Sequence, residues 1–277
     1  MQRRFSQLDV FTDRPLRGNP LAVVHDADGL SDAQMAAFAR WTNLSETTFL
    51  LPPTDAAADY RVRIFTPGGE LPFAGHPTLG SCHAWLSAGG QARGEGQVVQ
   101  QCEVGLVRIR RDDTRLAFAA PPLRRTGAAD AAVRTQLATC LRVNVSSLRA
   151  VQWVDNGPGW VAALLPDAAA VLALKPDFGA MGALKVGVVG PYPDGGECRY
   201  EVRAFVPGLS VPEDPVTGSL NAGLALWLID AGLAPPAYLA SQGTELGRAG
   251  RVHVRRIGAD TWIGGDVCPV VAGTVVL

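Results

Sequence analysis

The chain has 277 residues, enough for two cores of ordinary size, with hydrophobic residues at 47%, charged residues at 18% and a formal net charge of −1. No Lys/Arg run occurs, only the isolated pairs Arg3-Arg4, Arg110-Arg111, Arg124-Arg125 and Arg255-Arg256, so a nucleic-acid partner is not expected. No segment approaches the roughly 18 consecutive apolar residues of a membrane span, and no apolar stretch of signal-peptide length follows Met1-Gln-Arg-Arg-Phe5.

In chain order, strands are expected at Gln7 to Phe11, Leu21 to Val24, Thr47 to Leu51, Tyr60 to Phe65, Val104 to Arg110 and Leu116 to Ala119. In the second half they are expected at Val151 to Val154, Trp160 to Leu165, Leu184 to Val189, Tyr200 to Phe205, Arg251 to Arg256 and Trp262 to Gly265. Two segments per half look helical. One opens at Ser31-Asp-Ala-Gln34, where Ser31 caps and Gln34 answers as in a capping box, and ends near Thr42. Another follows Pro77 and runs from Thr78 to Ser87, ending at Gly89-Gly90; its counterpart follows Pro215 and runs from Gly218 to Ala231, ending at Gly232. The segment 122–128 is the expected crossing between two halves.

The halves repeat. Tyr60-Arg-Val-Arg-Ile-Phe65-Thr-Pro67-Gly68 returns as Tyr200-Glu-Val-Arg-Ala-Phe205-Val-Pro207-Gly208, displaced by 140 positions (200 − 60). Gly18-Asn-Pro-Leu-Ala-Val-Val24 has a looser echo in Pro158-Gly-Trp-Val-Ala-Ala-Leu164. Gly105-Leu-Val-Arg-Ile-Arg110 resembles Gly250-Arg-Val-His-Val-Arg255, followed by the polar turns Asp112-Asp113-Thr114 and Gly258-Ala259-Asp260-Thr261. A period this long is no solenoid; it predicts two similar domains facing each other. The first is expected over residues 1–118 and the second over 119–277, with a C-terminal strand at about 268–277 returning to the first.

Two loops place polar clusters at the starts of the paired helices: Phe73-Ala-Gly75-His76-Pro77-Thr78 and Glu213-Asp214-Pro215-Val-Thr217-Gly218-Ser219. Glycine lets a ligand approach the backbone, and the N–H groups with the positive end of the helix dipole suit an anion. The plain alternative is ordinary capping. Against it, His76 and Asp214 are titratable groups that a cap does not need. Glu46, in Asn43-Leu-Ser-Glu-Thr-Thr-Phe49, lies beside apolar Leu44 and Phe49; as a partly desolvated carboxylate it would serve as a base, and otherwise it is a solvated loop residue.

The blocks Gly18-Asn-Pro-Leu-Ala-Val-Val24, Asn43-Leu-Ser-Glu-Thr-Thr-Phe49, Arg63-Ile-Phe-Thr-Pro67, Gly75-His-Pro-Thr78, Glu213-Asp-Pro-Val-Thr-Gly-Ser219 and Gln242-Gly-Thr-Glu-Leu-Gly-Arg248 resemble, in order along nearly the whole chain, the signature blocks of the PhzF family. These are phenazine-biosynthesis-like isomerases, distantly related to diaminopimelate epimerase and proline racemase. The resemblance implies an α+β fold of two similar domains, each a curved, mostly antiparallel sheet wrapped around a central helix. It also implies a cofactor-free site in the cleft between them, with Glu46 as catalytic glutamate, Gly75 and His76 from the first loop, and Asp214, Gly218 and Ser219 from the second. The epimerase branch carries paired cysteines at the positions held here by Ala74 and Thr217, so a two-thiol racemase is excluded by residue type.

The expected function is cofactor-independent isomerisation or epimerisation of a small carboxylic acid: Glu46 as general base, Asp214 as acid or shuttle, His76 and Ser219 orienting the substrate. The alternative is a non-catalytic protein that keeps the fold and binds a small acid or a partner. No cofactor is expected, and no metal, since His25, His76, His83 and His253 are scattered. Gly218-Ser219-Leu-Asn-Ala-Gly223 has the wrong spacing for a serine-hydrolase elbow, and the glycine pairs lack nucleotide-loop spacing. Five cysteines (Cys82, Cys102, Cys140, Cys198, Cys268), with no Cys-x-x-Cys pair, predict reduced, mostly buried thiols and a cytoplasmic protein. A homodimer is left open.

Overall fold

A computed structural model describes residues 1–112, 115–209 and 212–277; the turn residues Asp113 and Thr114 lie outside the described residues. The chain divides into two compact units, Met1–Ala119 with Gly264–Leu277, and Ala120–Ile263. Each is a mostly antiparallel curved sheet around one buried helix, the α+β architecture of the epimerase-like fold.

In the first unit, β1 (Gln2–Val10) pairs antiparallel with β2 (Asn19–Val24) and, on its other edge, with the C-terminal strand Val267–Val276, with a register shift at Gln7/Leu8. From β2 the chain crosses through α1 (Asp32–Thr42) to β3 (Glu46–Leu51), which lies parallel to β2. A parallel neighbour cannot be reached by a hairpin, so the helix is the connection. Then follow β4 (Tyr60–Thr66) and the short β5 (Gly69–Leu71), antiparallel in turn, α2 (Gly75–Ser87), and the meander β6 (Gln97–Cys102), β7 (Gly105–Asp112) and β8 (Arg115–Ala119), with β6 parallel to β4.

The second unit repeats this plan. After β9 (Arg125–Ala128), α3 (Ala131–Leu141) and β10 (Ala150–Asp155), strand β11 (Trp160–Leu164) crosses through the short helices α4 (Ala168–Leu172) and α5 (Phe178–Met181) to a parallel β12 (Lys185–Pro191). Antiparallel β13 (Tyr200–Phe205) and the two-residue β14 (Glu213–Asp214) precede α6 (Gly218–Asp230). Strand β15 (Ala237–Gln242) is parallel to β13 and antiparallel to β16 (Gly250–Ile257), and β17 (Asp260–Gly265) closes the series.

Both α2 and α6 have thirteen residues and bury most of them, α6 all around its circumference. Such helices form the centre of a unit rather than its surface. The sixth residue of each is a glycine pressed on a strand: a Cβ on Gly80 would sit 2.5 Å from Leu21 Cδ2, and one on Gly223 2.3 Å from the carbonyl oxygen of Val154. Separate apolar clusters join Val24, Met35, Phe38, Phe49 and Phe65 in the first unit, and Leu137, Leu141, Val161, Val188 and Phe205 in the second.

Several expectations shift. The capping box of α1 forms as read, Ser31 Oγ accepting from Gln34 N while Gln34 Oε1 accepts from Ser31 N. Helix α2 begins at Gly75 rather than Thr78, because Pro77 sits inside the first turn, where a missing N–H costs no intrahelical bond. Residues 125–128 of the expected crossing are strand β9, paired with β10. Among its described residues the second unit contains four α-helices where two were expected; α3 is capped by Asp130. Strands β6 and β15 escape pattern reading because Gln100 and Gln242 are polar residues on buried positions. The five thiols are unpaired by disulfides, four of them buried and Cys268 half-buried.

Candidate active site

The first unit assembles its polar cluster from three strand and helix beginnings. Asn43 ends α1 in the left-handed conformation, φ 53°, and turns the chain so that Glu46 opens β3 beside Leu21 of β2. Asn19 opens β2, and His76 is the second residue of α2, whose N-cap Ala74 contributes no side-chain hydrogen bond. The Glu46 and His76 side chains are 15% and 5% exposed, with Glu46 Oε2 3.4 Å from His76 Nε2. On the opposite edge of the ring, the Asn19 amide nitrogen is 3.3 Å from His76 Nδ1, and Asn19 Oδ1 accepts from Ser45 Oγ at 3.3 Å.

Burial drives the His76 pKa down to about 3, outweighing a neighbouring Pro20 carbonyl that favours the charged ring. The distance to Glu46 alone would suit an ion pair, but desolvation decides: the imidazole is neutral. At 3.4 Å the two buried atoms are in electrostatic contact without the geometry of a hydrogen bond.

The second unit builds its cluster from β14, the start of α6 and the end of β15. Glu213 turns into the core, where its two oxygens take a bidentate pair from Arg203 at 2.8 Å each. Asp214, the next residue, projects to the other face of the strand. Its Oδ2 accepts from Thr217 Oγ1 at 2.6 Å. Buried Gln242 holds this loop through four bonds: Oε1 accepts from Thr217 N (3.0 Å) and Asn221 Nδ2 (2.8 Å), and Nε2 donates to the Asp214 carbonyl (3.1 Å) and Thr217 Oγ1 (3.0 Å). Ser219 Oγ accepts from the Trp160 indole N–H at 3.0 Å, which leaves the serine its own proton to donate, and the Ser219 carbonyl accepts from Asn156 Nδ2 at 2.8 Å.

The structure thus joins Glu46 and His76 directly beside Gly75, and places Asp214, Gly218 and Ser219 at one helix start in the second unit. Ala74 and Thr217 are the N-caps of α2 and α6, matching positions that both lack a thiol, and neither side chain caps its helix. Asn19, Thr217 and Gln242 lie within the sequence blocks above, but their residue types alone do not mark the bonds they make here. Gln242 carried the best available signal, an amide that ends a strand just before a Gly-Thr turn. Among the described residues no cluster of three His, Cys, Asp or Glu could hold a metal ion, and no helix is long and apolar enough to cross a membrane.

The family model for phenazine biosynthesis-like proteins, PhzC-PhzF, matches residues 8–265. A fission-yeast protein from Schizosaccharomyces pombe named antisense-enhancing sequence 1 is 38% identical over 261 residues, covering 89% of this chain and 88% of that protein. The trans-2,3-dihydro-3-hydroxyanthranilate isomerase of Pseudomonas aeruginosa is 34% identical over 260 residues, covering 92% and 91%. The crystal structure of a PhzF-family protein from Enterococcus faecalis superposes with a TM-score of 0.83 at 24% identity, covering all of both chains, a likeness of fold. The chain belongs to the PhzF family, and it is an isomerase.

Proposed function

We propose that the protein moves a proton on a small carboxylic acid, with Glu46 as general base and Asp214 as acid or shuttle, using side chains and helix amides alone. The observation that carries this reading is the contact between the Glu46 carboxylate and the neutral, buried imidazole of His76 at the first turn of α2. Glu46 removes a weakly acidic C–H proton, leaving charge that delocalises into the substrate carboxylate. Backbone N–H groups at Gly75 and His76, and at Gly218 and Ser219, would share that charge, as donors aimed at developing negative charge do. Asp214, protonated at the outset, gives its proton to another carbon or to the other face; Glu46 then releases its proton to solvent and Asp214 takes one up from solvent, which closes the cycle. The His76 ring and Ser219 Oγ–H orient the acid.

The Pseudomonas relative is named for a dihydro-hydroxyanthranilate, itself a carboxylic acid, which sets the first compound to try. Whether the proton moves between carbons or between faces follows from the product. The test is C–H/D exchange in D₂O on a panel of carboxylic acids headed by that compound. Exchange by the wild type that drops at least about 100-fold in Glu46→Gln supports the assignment. Equal exchange by both proteins removes Glu46 from it, and no exchange on any acid leaves the binding-protein reading standing.

A further inference from the structure

The hydrogen bonds around Gln242 have a polarity that can be read without ambiguity. Asn221 Nδ2 lies within reach of two acceptors, the Thr217 carbonyl at 3.0 Å and the Gln242 amide at 2.8 Å, so the Gln242 atom it faces is the oxygen. The Thr217 backbone N–H, 3.0 Å away, points to the same atom and agrees. Reversing the amide would set its NH₂ group against two donors in a fully buried place. Both protons of Nε2 are therefore committed, one to the Asp214 carbonyl and one to Thr217 Oγ1. A hydroxyl has a single proton, and the one on Thr217, already accepting from Gln242, can only be directed at Asp214 Oδ2, 2.6 Å away.

We infer that Gln242 is a positioning residue for Asp214, acting through the Thr217 hydroxyl: the relay occupies Oδ2 with a donated hydrogen bond and so makes Oδ1 the oxygen that carries the transferred proton. In the return step the Oδ1–H bond breaks, the electron pair of the substrate carbanion forms the new C–H bond, and Asp214 is left as a carboxylate whose charge the Thr217 hydroxyl already meets. The first unit has no such device, since Ala74 occupies the N-cap and Leu71 the matching position of the short strand, Leu71 facing Ile64 as Asp214 faces Ala204. The inference rests on the reading of Asp214 as acid or shuttle.

Two measurements test it. A neutron structure of the deuterated protein needs no substrate: a deuteron on Thr217 Oγ1 directed at Asp214 Oδ2 is expected, and a deuteron on Oδ2 directed at Thr217 overturns the relay. In kinetics on the acid that exchanges fastest in the panel above, Thr217→Val should lower kcat by about 10- to 100-fold, the worth of a hydrogen bond to a charged group, with KM within about twofold. Thr217→Ser restores the hydroxyl and should recover most of kcat, which a packing role of the threonine methyl would not do. Gln242→Glu puts an acceptor opposite Thr217 Oγ1, draws the hydroxyl proton away from Asp214, and should resemble Thr217→Val. Wild-type kcat in Thr217→Val with an impaired Asp214→Asn overturns the relay and leaves the acid assignment intact. Wild-type kcat in Asp214→Asn overturns the assignment itself.

Discussion

Set side by side, the two units share a frame and differ at the positions proposed to be reactive. Arg63 and Arg203, 140 positions apart (203 − 63), each grip the glutamate of the next short strand, Glu70 at 2.6 Å and 2.7 Å and Glu213 at 2.8 Å. Each guanidinium also lies over the phenylalanine two residues on, Phe65 or Phe205, at 5.1 Å and 5.0 Å from the ring centre. The positions proposed to be reactive, in contrast, differ between the units. Where the second unit has Asp214 and Thr217, the first has Leu71 and Ala74. Where the first has Glu46, one residue before the partner of Phe65, the second has Lys185, one residue before the partner of Phe205. His76 stands where Ser219 stands. The repeat fixes where a reactive group can be held at a helix start, and single substitutions decide which one is there.

The frame differs between units in burial, and the largest expected effect follows from that. Arg203 and Glu213 are 5% and 7% exposed, and Arg203 also donates to the carbonyls of Val171 and Leu174. Removing one partner of such a pair strands a buried charge, so Arg203→Ala should cost about 3–5 kcal/mol. Arg63 and Glu70 are 18% and 29% exposed, and Arg63 also meets the open Asp32. Water can replace those partners, and Arg63→Ala should cost about 1 kcal/mol, nearer the value of an exposed pair. Urea unfolding of the two variants decides; equal losses would mean that the two pairs are energetically equivalent.

For activity the expected asymmetry lies in which carboxylate matters more. Glu46→Gln keeps shape and should lower turnover by about 100-fold or more, while Asp214→Asn should lower it less, because water replaces a shuttle more easily than a base. Thermal melting of both should stay near wild type, since neither carboxylate spans a core cluster. A deeper loss in Asp214→Asn would exchange the two roles.

Much of this division was legible before the fold. The 140-position echo exposes both frames, and the residue types at 46, 76 and 214 stand out at the places proposed to be reactive because caps and cores do not require titratable groups there. The start of α2 was misplaced, since Pro77 reads as a boundary although a first turn accepts it. Strands β6 and β15 were missed for a physical reason tied to the site: Gln100 bonds Thr78 and Gln242 bonds Thr217, so the polar residues that spoil an apolar pattern are the ones that brace the two helix starts. No periodicity carries such contacts, which join residues more than twenty positions apart.

A smaller effect concerns His76, which has no titratable counterpart because Ser219 fills its place. In the unfolded chain an imidazole takes up a proton near pH 6.5, whereas in the fold burial holds it off until about 3. Between those values the unfolded state binds more protons, so the stability this neutral ring contributes is present above pH 6.5 and is lost as pH falls toward about 3, at no more than about 1.4 kcal/mol per pH unit. His76→Gln cannot titrate, and its urea midpoint should decline less steeply than wild type between pH 7 and pH 4. Both proteins keep His25 and His83, whose pKa values burial also lowers, so those contributions cancel in the difference. Parallel declines would mean that His76 is protonated in the fold.

The smallest effect concerns the bare helix starts. α1, outside the proposed site, has a full capping box, whereas α2 begins at Ala74 with no side-chain cap. Ser31→Ala should therefore cost about 1 kcal/mol and leave turnover unchanged. Ala74→Ser supplies the missing acceptor in an extended N-cap residue, φ −150° and ψ 143°, and should gain up to about 1 kcal/mol. If the first-turn amides of α2 serve the substrate carboxylate, that gain comes with competition for the same N–H groups, and KM should rise several-fold while kcat changes little. Stability improved with KM unchanged would mean that these amides take no part in binding, and would move the carboxylate to α6 alone.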